Sequence, residues 1–267
     1  MSVRPALAIL AALAGGPAAA QSEATPEAGT PVDAEIVLAV DVSRSMDMQE
    51  YAVQREGYTA ALRHPDLIRA VTAGRLGRVA IAYFEWSGEA QDGTLIPWRI
   101  IEGPEDAAAL AGEIAQVPTM RGRGTSISRA LTFATVLIED GTVDGARRII
   151  DVSGDGANNI GPPVTFVRDD TLARGITING LPIVTSIGTM SNLDFYYEDC
   201  VVGGDGAFVL VARSGEELAR TIRRKLVMEI SGVVPEPEAR IIAADFAPTD
   251  CLIGEKQRRD RGWDLMR

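Results

Sequence analysis

The sequence predicts an α/β fold in which a doubly wound, mostly parallel central sheet has one antiparallel edge strand and helices on both faces. Three observations support this fold class. Apolar runs of strand length alternate with segments of helical periodicity, which is typical of parallel sheets. Residues 36–40 (IVLAV) are apolar at every position, as expected of a strand that is buried on both faces. Residues 77–86 and 94–101 are neighbouring strand patterns, close enough in sequence to form an antiparallel hairpin.

The predicted elements begin at residue 35 and continue to residue 232. The predicted strands cover residues 35–41, 77–86, 94–101, 147–152, 176–184 and 207–211. The predicted helices cover residues 48–63, 104–117, 126–139, 164–174, 192–200 and 214–230. Asn179-Gly180 is a turn signal inside the fifth strand, whereas a capping box of Ser214 and Glu217 marks the start of the last helix. These elements predict a single domain over residues 35–232.

Both ends of the chain are expected to lie outside this domain. Residues 1–20 combine Arg4, a short apolar stretch and a final AAA, which is typical of a secretory signal peptide; an uncleaved anchor or a buried helix is the alternative. Residues 21–34 favour a flexible leader, and residues 233–267 form a C-terminal tail. No later segment approaches the roughly 18 apolar residues of a membrane span. We therefore expect an exported protein with no transmembrane segment after signal cleavage.

The two cysteines of the chain are Cys200 and Cys251. In an exported protein an even number of cysteines favours a disulfide, and a bridge that closes a loop of this length stabilises the fold by roughly 3 to 5 kcal/mol. Two unpaired buried thiols are the alternative. The sequence thus predicts a bridge that ties the C-terminal tail to the domain.

The charge of the chain argues against nucleic acid as a partner. The sequence has 37 acidic and 26 basic residues, a formal net charge of −11. Binding to nucleic acid phosphates depends on clustered Lys and Arg, which an acidic chain of this kind lacks overall. The basic segment 256–261 (KQRRDR) is interrupted by an acid, so we expect it to be solvated.

Polar residues follow two of the predicted strands at the point where each strand ends. Asp41, Ser43 and Ser45 (DVSRS) follow the first strand, and Asp155 (SGDG) follows the strand at 147–152. In doubly wound sheets ligands bind beyond the carboxyl ends of the strands. Carboxylate and hydroxyl oxygens suit hard divalent cations, and Thr125, after the glycine-rich RGRG, supplies a further oxygen. The sequence predicts a divalent cation site built from these five residues.

DVSRS, the threonine of GRGTS and the aspartate of SGDG resemble the metal-ion-dependent adhesion site of von Willebrand factor type A domains. The resemblance covers about residues 35–232. It implies that the five residues bind Mg²⁺, or alternatively Mn²⁺ or Ca²⁺, some of them through water. It also implies a free coordination position that an Asp or Glu of a partner protein occupies.

The stretch VSGDGANN resembles a bacterial exported family of unknown function, DUF1194. This resemblance implies a periplasmic or secreted protein and gives no mechanism. Asn158 and Asn159 of this stretch are interpreted either as turn-forming residues or as supports for the metal site. The oligomeric state does not follow from the sequence.

The main alternative function is that of a metal-dependent hydrolase or phosphatase of the cell envelope. His64 is the only histidine, and it lies before Pro65 at a predicted helix end, where no catalytic role is needed. No serine lies in a G-x-S-x-G motif, and no phosphate-binding G-x-x-x-x-G-K-[ST] motif is present. We therefore expect a binding protein with no catalytic residues.

Overall fold

The computed structural model describes residues 26–184, 190, 192–233 and 249–264. The predicted signal peptide, residues 1–20, lies outside the described residues, as do residues 234–248 and 265–267 of the predicted tail. No helix in the described ranges has the length and apolar character needed to cross a membrane.

The described residues form seven strands and eight α-helices. The strands are β1 (Thr30–Val32), β2 (Glu35–Asp41), β3 (Val79–Trp86), β4 (Ile96–Ile101), β5 (Val143–Gly145), β6 (Arg148–Gly154) and β7 (Thr177–Pro182). The helices are α1 (Met48–Leu62), α2 (Pro65–Thr72), α3 (Pro104–Gln116), α4 (Ile127–Glu139), α5 (Val164–Ala173), α6 (Leu193–Tyr196), α7 (Gly215–Ser231) and α8 (Ile253–Asp264). A π-helical turn, Tyr197–Val201, continues α6.

The central sheet confirms the predicted fold class. Its strand order is β4-β3-β2-β6-β7, and every neighbouring pair is parallel except β3 and β4. The chain leaves β2 toward β3 on one side and later returns to β6 on the other side, so the order reverses at β2. This reversal is where doubly wound folds place their ligands.

Two apolar layers hold the helices against the sheet. Every residue of β2 is buried, and its side chains alternate between the layers: Ile36 and Leu38 face one, Val37 and Ala39 the other. The first layer includes side chains of α1, α2, α3 and α7, and the second includes side chains of α4, α5 and α6. Each large apolar side chain buried in this way stabilises the fold by about 1.5 to 3 kcal/mol.

The structure contains two short strands and two helices that the sequence pattern did not predict. β1 pairs in parallel with β5, so the paired strands include residues 30–32, before the predicted domain boundary at 35. A three-residue strand carries no usable periodicity, which explains why the pattern did not reveal it. Helix α2 follows α1 directly, and the His64 ring accepts a hydrogen bond from the Asp66 N–H as its N-cap. Helix α8 lies in the predicted tail.

The predicted strand at 207–211 is wrong. This segment runs beside β7 but makes only isolated bridges, at Val209 and at Ala212. A continuous ladder would need an N–H at Pro182 of β7, and proline has none. Gly180, which the sequence pattern places in a turn signal, lies inside β7. Glycine is needed there because a Cβ would lie 2.7 Å from the Tyr197 ring.

A buried ionic cluster joins α7 to the sheet. Lys225 is completely buried, and its Nζ lies 2.7 Å from Asp151 Oδ1 and contacts Glu229. Asn179 donates a hydrogen bond of 2.9 Å to Glu229 Oε1. Burial, followed by the charge of Asp151, raises the pKa of Glu229 to about 8. One buried lysine thus contacts two buried carboxylates.

Candidate functional site

The first loop of the candidate site follows β2, and its polar side chains turn toward one another. The Ser43 N–H donates a hydrogen bond of 2.7 Å to Asp41 Oδ1. The Ser43 hydroxyl lies 2.8 Å from the Ser45 hydroxyl. Helix α1 then begins, with Asp47 as its N-cap. The curled backbone therefore gathers a carboxylate and two hydroxyls at the carboxyl edge of the sheet.

Asp155 joins this loop from the neighbouring strand β6. Because β2 and β6 are parallel and Val40 lies opposite Ser153, the two loops leave the sheet side by side. The Ser45 hydroxyl donates a hydrogen bond of 2.7 Å to Asp155 Oδ1. Burial raises the pKa of the Asp155 carboxyl to about 6. The structure thus brings Asp155 and the DVSRS loop together, as the strand order requires.

Thr125 reaches the same edge on the loop before α4. The Arg44 N–H donates to the Gly122 carbonyl at 3.1 Å, which ties this loop to the first one. Thr125 N–H donates to Asn159 Oδ1 at 3.0 Å, and the Thr125 carbonyl accepts from Asn159 N–H at 2.8 Å. Glycine is required at 122, because a Cβ there would lie 1.8 Å from the Ser87 hydroxyl oxygen. All five predicted residues therefore come from loops that meet at one edge.

The Asp41 carboxylate has an unmatched oxygen. Asp41 is completely buried, and its Oδ2 has no hydrogen-bond partner among the described residues. A Cβ at Gly154 would lie 2.8 Å from this Oδ2 and 2.9 Å from the Tyr197 hydroxyl oxygen, so these groups flank the same glycine. Burial, followed by the charge of Asp155, raises the pKa of Asp41 well above its usual range. A buried carboxylate of this kind is stabilised by a nearby cation.

The donor set fits a hard divalent cation. Two carboxylates supply negative charge, and three hydroxyl oxygens add ligands without adding charge. In the described part of the chain, no group of three or more His, Cys, Asp or Glu residues is arranged to hold a metal. The candidate centre consequently depends on its hydroxyls for most of its protein oxygens, a composition that suits a hard cation better than a soft metal.

A cavity of about 230 Å³ opens at this edge of the sheet. Ser43, Ser45 and Thr125 line it together with Asn159. A larger cavity of about 390 Å³ lies at the opposite edge, beside Asn179 and the end of α7, and none of the five predicted site residues lines it. The smaller cavity is therefore the one that belongs to the candidate metal site.

The C-terminal segment is part of this site. Cys200 and Cys251 form the predicted disulfide, with Cα atoms 5.5 Å apart. Helix α8 follows the bridge, and its Glu255 accepts a hydrogen bond of 2.7 Å from the Asn158 amide. Arg258 and the next-turn Arg261 are exposed, as expected of the basic segment, but they line the cavity rather than projecting away from the domain. The tail position of these arginines concealed this role in the sequence.

Asn158 and Asn159 support the site through hydrogen bonds. Besides its contact with α8, the Asn158 side chain accepts the Ser128 N–H at 3.0 Å, which fixes the start of α4. Asn159 holds the Thr125 backbone from both sides. These hydrogen bonds hold the backbone at Thr125 and at the start of α4 in place. The signal was the position of both residues directly after the loop of Asp155.

The family model "Protein of unknown function (DUF1194)" matches residues 31–234. The chain belongs to this family. A search of curated proteins finds no match. The family model begins close to β1 and ends just after α7, so it covers the central sheet and leaves α8 outside.

Similar solved structures have the von Willebrand factor type A fold. Proximal thread matrix protein 1 from the mussel byssus, with a zinc-occupied MIDAS motif, is 19% identical, with a TM-score of 0.57 over 76% of this chain and 49% of that chain. A von Willebrand factor type A protein from Catenulispora acidiphila is 15% identical, with a TM-score of 0.51 over 77% of this chain and 47% of that chain. The vWF domain of the type V pili tip protein Mfa5 from Porphyromonas gingivalis is 11% identical, with a TM-score of 0.51 over 79% of this chain and 99% of that chain.

At these identities the likeness concerns the fold. The chain spans about half the length of the mussel protein that it matches. The fold of this chain is that of a von Willebrand factor type A domain, in agreement with the resemblance of its sequence motifs.

Proposed function

We propose that this protein is an exported, metal-dependent protein-binding module. Asp41, Ser43, Ser45, Thr125 and Asp155 would hold a divalent cation, Mg²⁺ by preference and Mn²⁺ or Ca²⁺ as alternatives. When bound, the cation supplies an open coordination position for a carboxylate oxygen of an Asp or Glu on a partner protein. The observation that carries the proposal is the buried Asp41 carboxylate, whose Oδ2 has no hydrogen-bond partner in the described residues.

The residues of the site prepare a binding position before any partner arrives. The Ser43 N–H fixes one oxygen of Asp41, and the Ser45 hydroxyl fixes one oxygen of Asp155. Two carboxylates bound directly to a divalent ion would cancel its charge, and an incoming anionic group is attracted only where some positive charge remains. We expect at least one of these acids to act through water, because a centre that is less neutralised attracts a carboxylate more strongly.

The similar structures support an adhesion or interaction role and an exported location. A mussel byssus protein with a zinc-occupied MIDAS and a pilus tip domain share this fold. The disulfide agrees with an oxidising compartment, the periplasm or the extracellular space. The proposal names no nucleic acid partner and no catalytic residue.

A peptide-display selection tests this function directly. Immobilised protein is exposed to a random peptide library in Mg²⁺, and bound peptides are released with a chelator. We expect enriched peptides to contain Asp or Glu, and their Asn or Gln versions to lose binding. Thr125→Ala and Asp155→Ala should abolish capture, whereas the matched control Thr132→Ala, an exposed threonine of α4, should not.

Two results would contradict the proposal. One is a selection that yields no chelator-released peptides, or yields peptides without acids. The other is metal-dependent turnover of a phosphoester or peptide substrate panel that Asp155→Ala abolishes, because that result would assign the site to a hydrolase.

A further inference from the structure

Four arginine side chains surround the mouth of the cavity at the candidate site. Arg44, Arg123, Arg258 and Arg261 line it, and all four are exposed. Within the described ranges, none of the four forms an ion pair with an acidic side chain, and no residue that lines this cavity is acidic.

These four arginines differ from others of this chain, whose net charge is −11. Arg55 lies 2.7 Å from Glu85 and Arg99 lies 2.8 Å from Glu113, whereas a further arginine, Arg147, donates to backbone carbonyls. Four cations around one cavity repel one another and produce a local positive potential that attracts anions. The rim is therefore complementary to a ligand with several negative charges.

Two of the four arginines are held at the cavity by close packing of α8. A Cβ at Gly254 would lie 2.1 Å from the Asn158 carbonyl oxygen, so only glycine lets the helix approach this loop. Residues 254, 258 and 261 are spaced by four and three positions and lie on one face of the helix. The Arg258 guanidinium lies 3.3 Å from Asn159 Oδ1, on the loop that follows Asp155. The disulfide at Cys251 anchors the start of the same helix.

We propose that Arg44, Arg123, Arg258 and Arg261 form a cationic rim that selects partner segments in which the metal-seeking Asp or Glu is flanked by further acidic residues. This inference rests on the proposed function and specifies the chemistry of the partner. The rim contacts the flanking acids, while the central one enters the cavity.

The cavity has a size that suits one acidic side chain, with the flanking acids left outside it. Its volume of about 230 Å³ is below the roughly 300 to 1,000 Å³ of typical small-molecule sites. It admits a side chain, and the chain on either side of that residue then crosses the rim. Acids on that chain come within reach of long arginine side chains, which bind carboxylates in a bidentate manner.

The rim also has an effect of opposite sign on the cation itself. Positive side chains beside a divalent ion repel it, so neutralising them should strengthen binding of Mn²⁺ alone and weaken binding of an acidic peptide. A purely structural role for these arginines would instead weaken both. The two affinities together therefore separate a selective rim from a scaffold.

The test compares two labelled synthetic peptides on the full chain by fluorescence polarisation in Mn²⁺. One peptide carries a single Glu in a neutral context, and the other carries that Glu flanked by further glutamates. The variant R258Q/R261Q removes two rim charges, R44Q removes one from a different loop, and R224Q/R259Q is the control with the same net charge as the double variant. Calorimetry with Mn²⁺ alone supplies the second readout.

We expect the wild-type protein to bind the clustered peptide more tightly than the single-Glu peptide. In R258Q/R261Q the ratio of the two affinities should fall about tenfold, which is the effect expected from the loss of two exposed ion pairs. R44Q should lose part of this preference, and the control none. Mn²⁺ affinity should be equal or higher in the rim variants. The preference should also fall as NaCl concentration rises.

A preference that is unchanged in both rim variants overturns the inference, as does a parallel loss of Mn²⁺ and of both peptides. Heparin that binds the rim more tightly than the clustered peptide, without metal, would assign these arginines to an anionic polysaccharide and also overturn it. Failure of the proposed function gives a different result, namely binding of the single-Glu peptide that persists in chelator.

Discussion

Replacing Asp41 with Asn should stabilise the metal-free protein and abolish its response to metal. In the structure Asp41 is completely buried, its Oδ2 has no partner among the described residues, and a second acid lies in the same loop cluster. An unsatisfied buried group costs about 1 to 3 kcal/mol and more when it is charged, so replacing a buried carboxylate by a neutral amide of the same shape recovers the extra cost of the charge. Asp41→Asn removes the charge and keeps the oxygen that accepts the Ser43 N–H, so the metal-free variant should melt about 2 to 10 °C higher than wild type.

The wild-type protein, unlike the Asp41→Asn variant, should gain stability when metal is added. An ion present at about 100 times its Kd stabilises the folded state by roughly 2.7 kcal/mol. For a domain of this size, that free energy raises Tm by about 5 to 10 °C. The variant should therefore be the more stable protein in chelator and show no shift in Mg²⁺, whereas wild type gains stability.

Thermal melts followed by circular dichroism, in chelator and in excess Mg²⁺ at matched ionic strength, measure both effects. Asp47→Asn is the matched control, because Asn is an equally good N-cap for α1 and the residue is outside the donor set. It should keep the full Mg²⁺ shift. An Asp41→Asn protein that is less stable than wild type in chelator would refute the reasoning about the unmatched oxygen, and one that retains the Mg²⁺ shift would refute the assignment of the site.

Three further predictions concern other parts of the fold. Lys225→Met should destabilise the protein by about 3 to 5 kcal/mol in urea unfolding, because it leaves two buried carboxylates without their cation. The control Lys256→Met, at an exposed position, should cost under about 1 kcal/mol. Equal losses of stability in the two variants would contradict a buried ionic cluster. Cys200→Ser/Cys251→Ser should lower stability by about 4 kcal/mol for a 51-residue separation, and reductant should reproduce this loss in wild type but not in the variant. Burial raises the pKa of Glu35 from 4.5 to about 7, so between these pH values the folded protein holds a proton that the unfolded chain releases. The stability of the wild-type protein should therefore fall relative to that of Glu35→Gln as pH rises from 4.5 to 7. A difference in Tm between the two proteins that does not change with pH would contradict this prediction.

The sheet was predictable because its evidence is local. The uninterrupted apolar run of β2 requires cover on both faces, and alternation of strands with helices requires parallel connections. Once β2 and β6 are neighbours, the loops that carry Asp41 and Asp155 must meet at one edge. Three motifs supplied the candidate residues, and the strand order explains why they meet at one edge.

The remaining features depend on contacts between distant segments. The position of Arg258 and Arg261 requires the disulfide and the glycine contact of α8, and neither contact has a periodic signature. Lys225 occupies a helical position where charge normally indicates a solvated face, and only the sheet supplies its partner carboxylate. The failed strand at 207–211 has its cause in Pro182 of the neighbouring strand.

The most direct test is an anomalous-scattering experiment on crystals of the protein grown with Mn²⁺. We expect one manganese peak in the cavity at the carboxyl edge of β2 and β6, coordinated by the hydroxyls of Ser43, Ser45 and Thr125, and absent from crystals of Asp41→Asn grown in the same way. A manganese peak elsewhere with this cavity empty, or an unchanged peak in the variant, would contradict the metal centre.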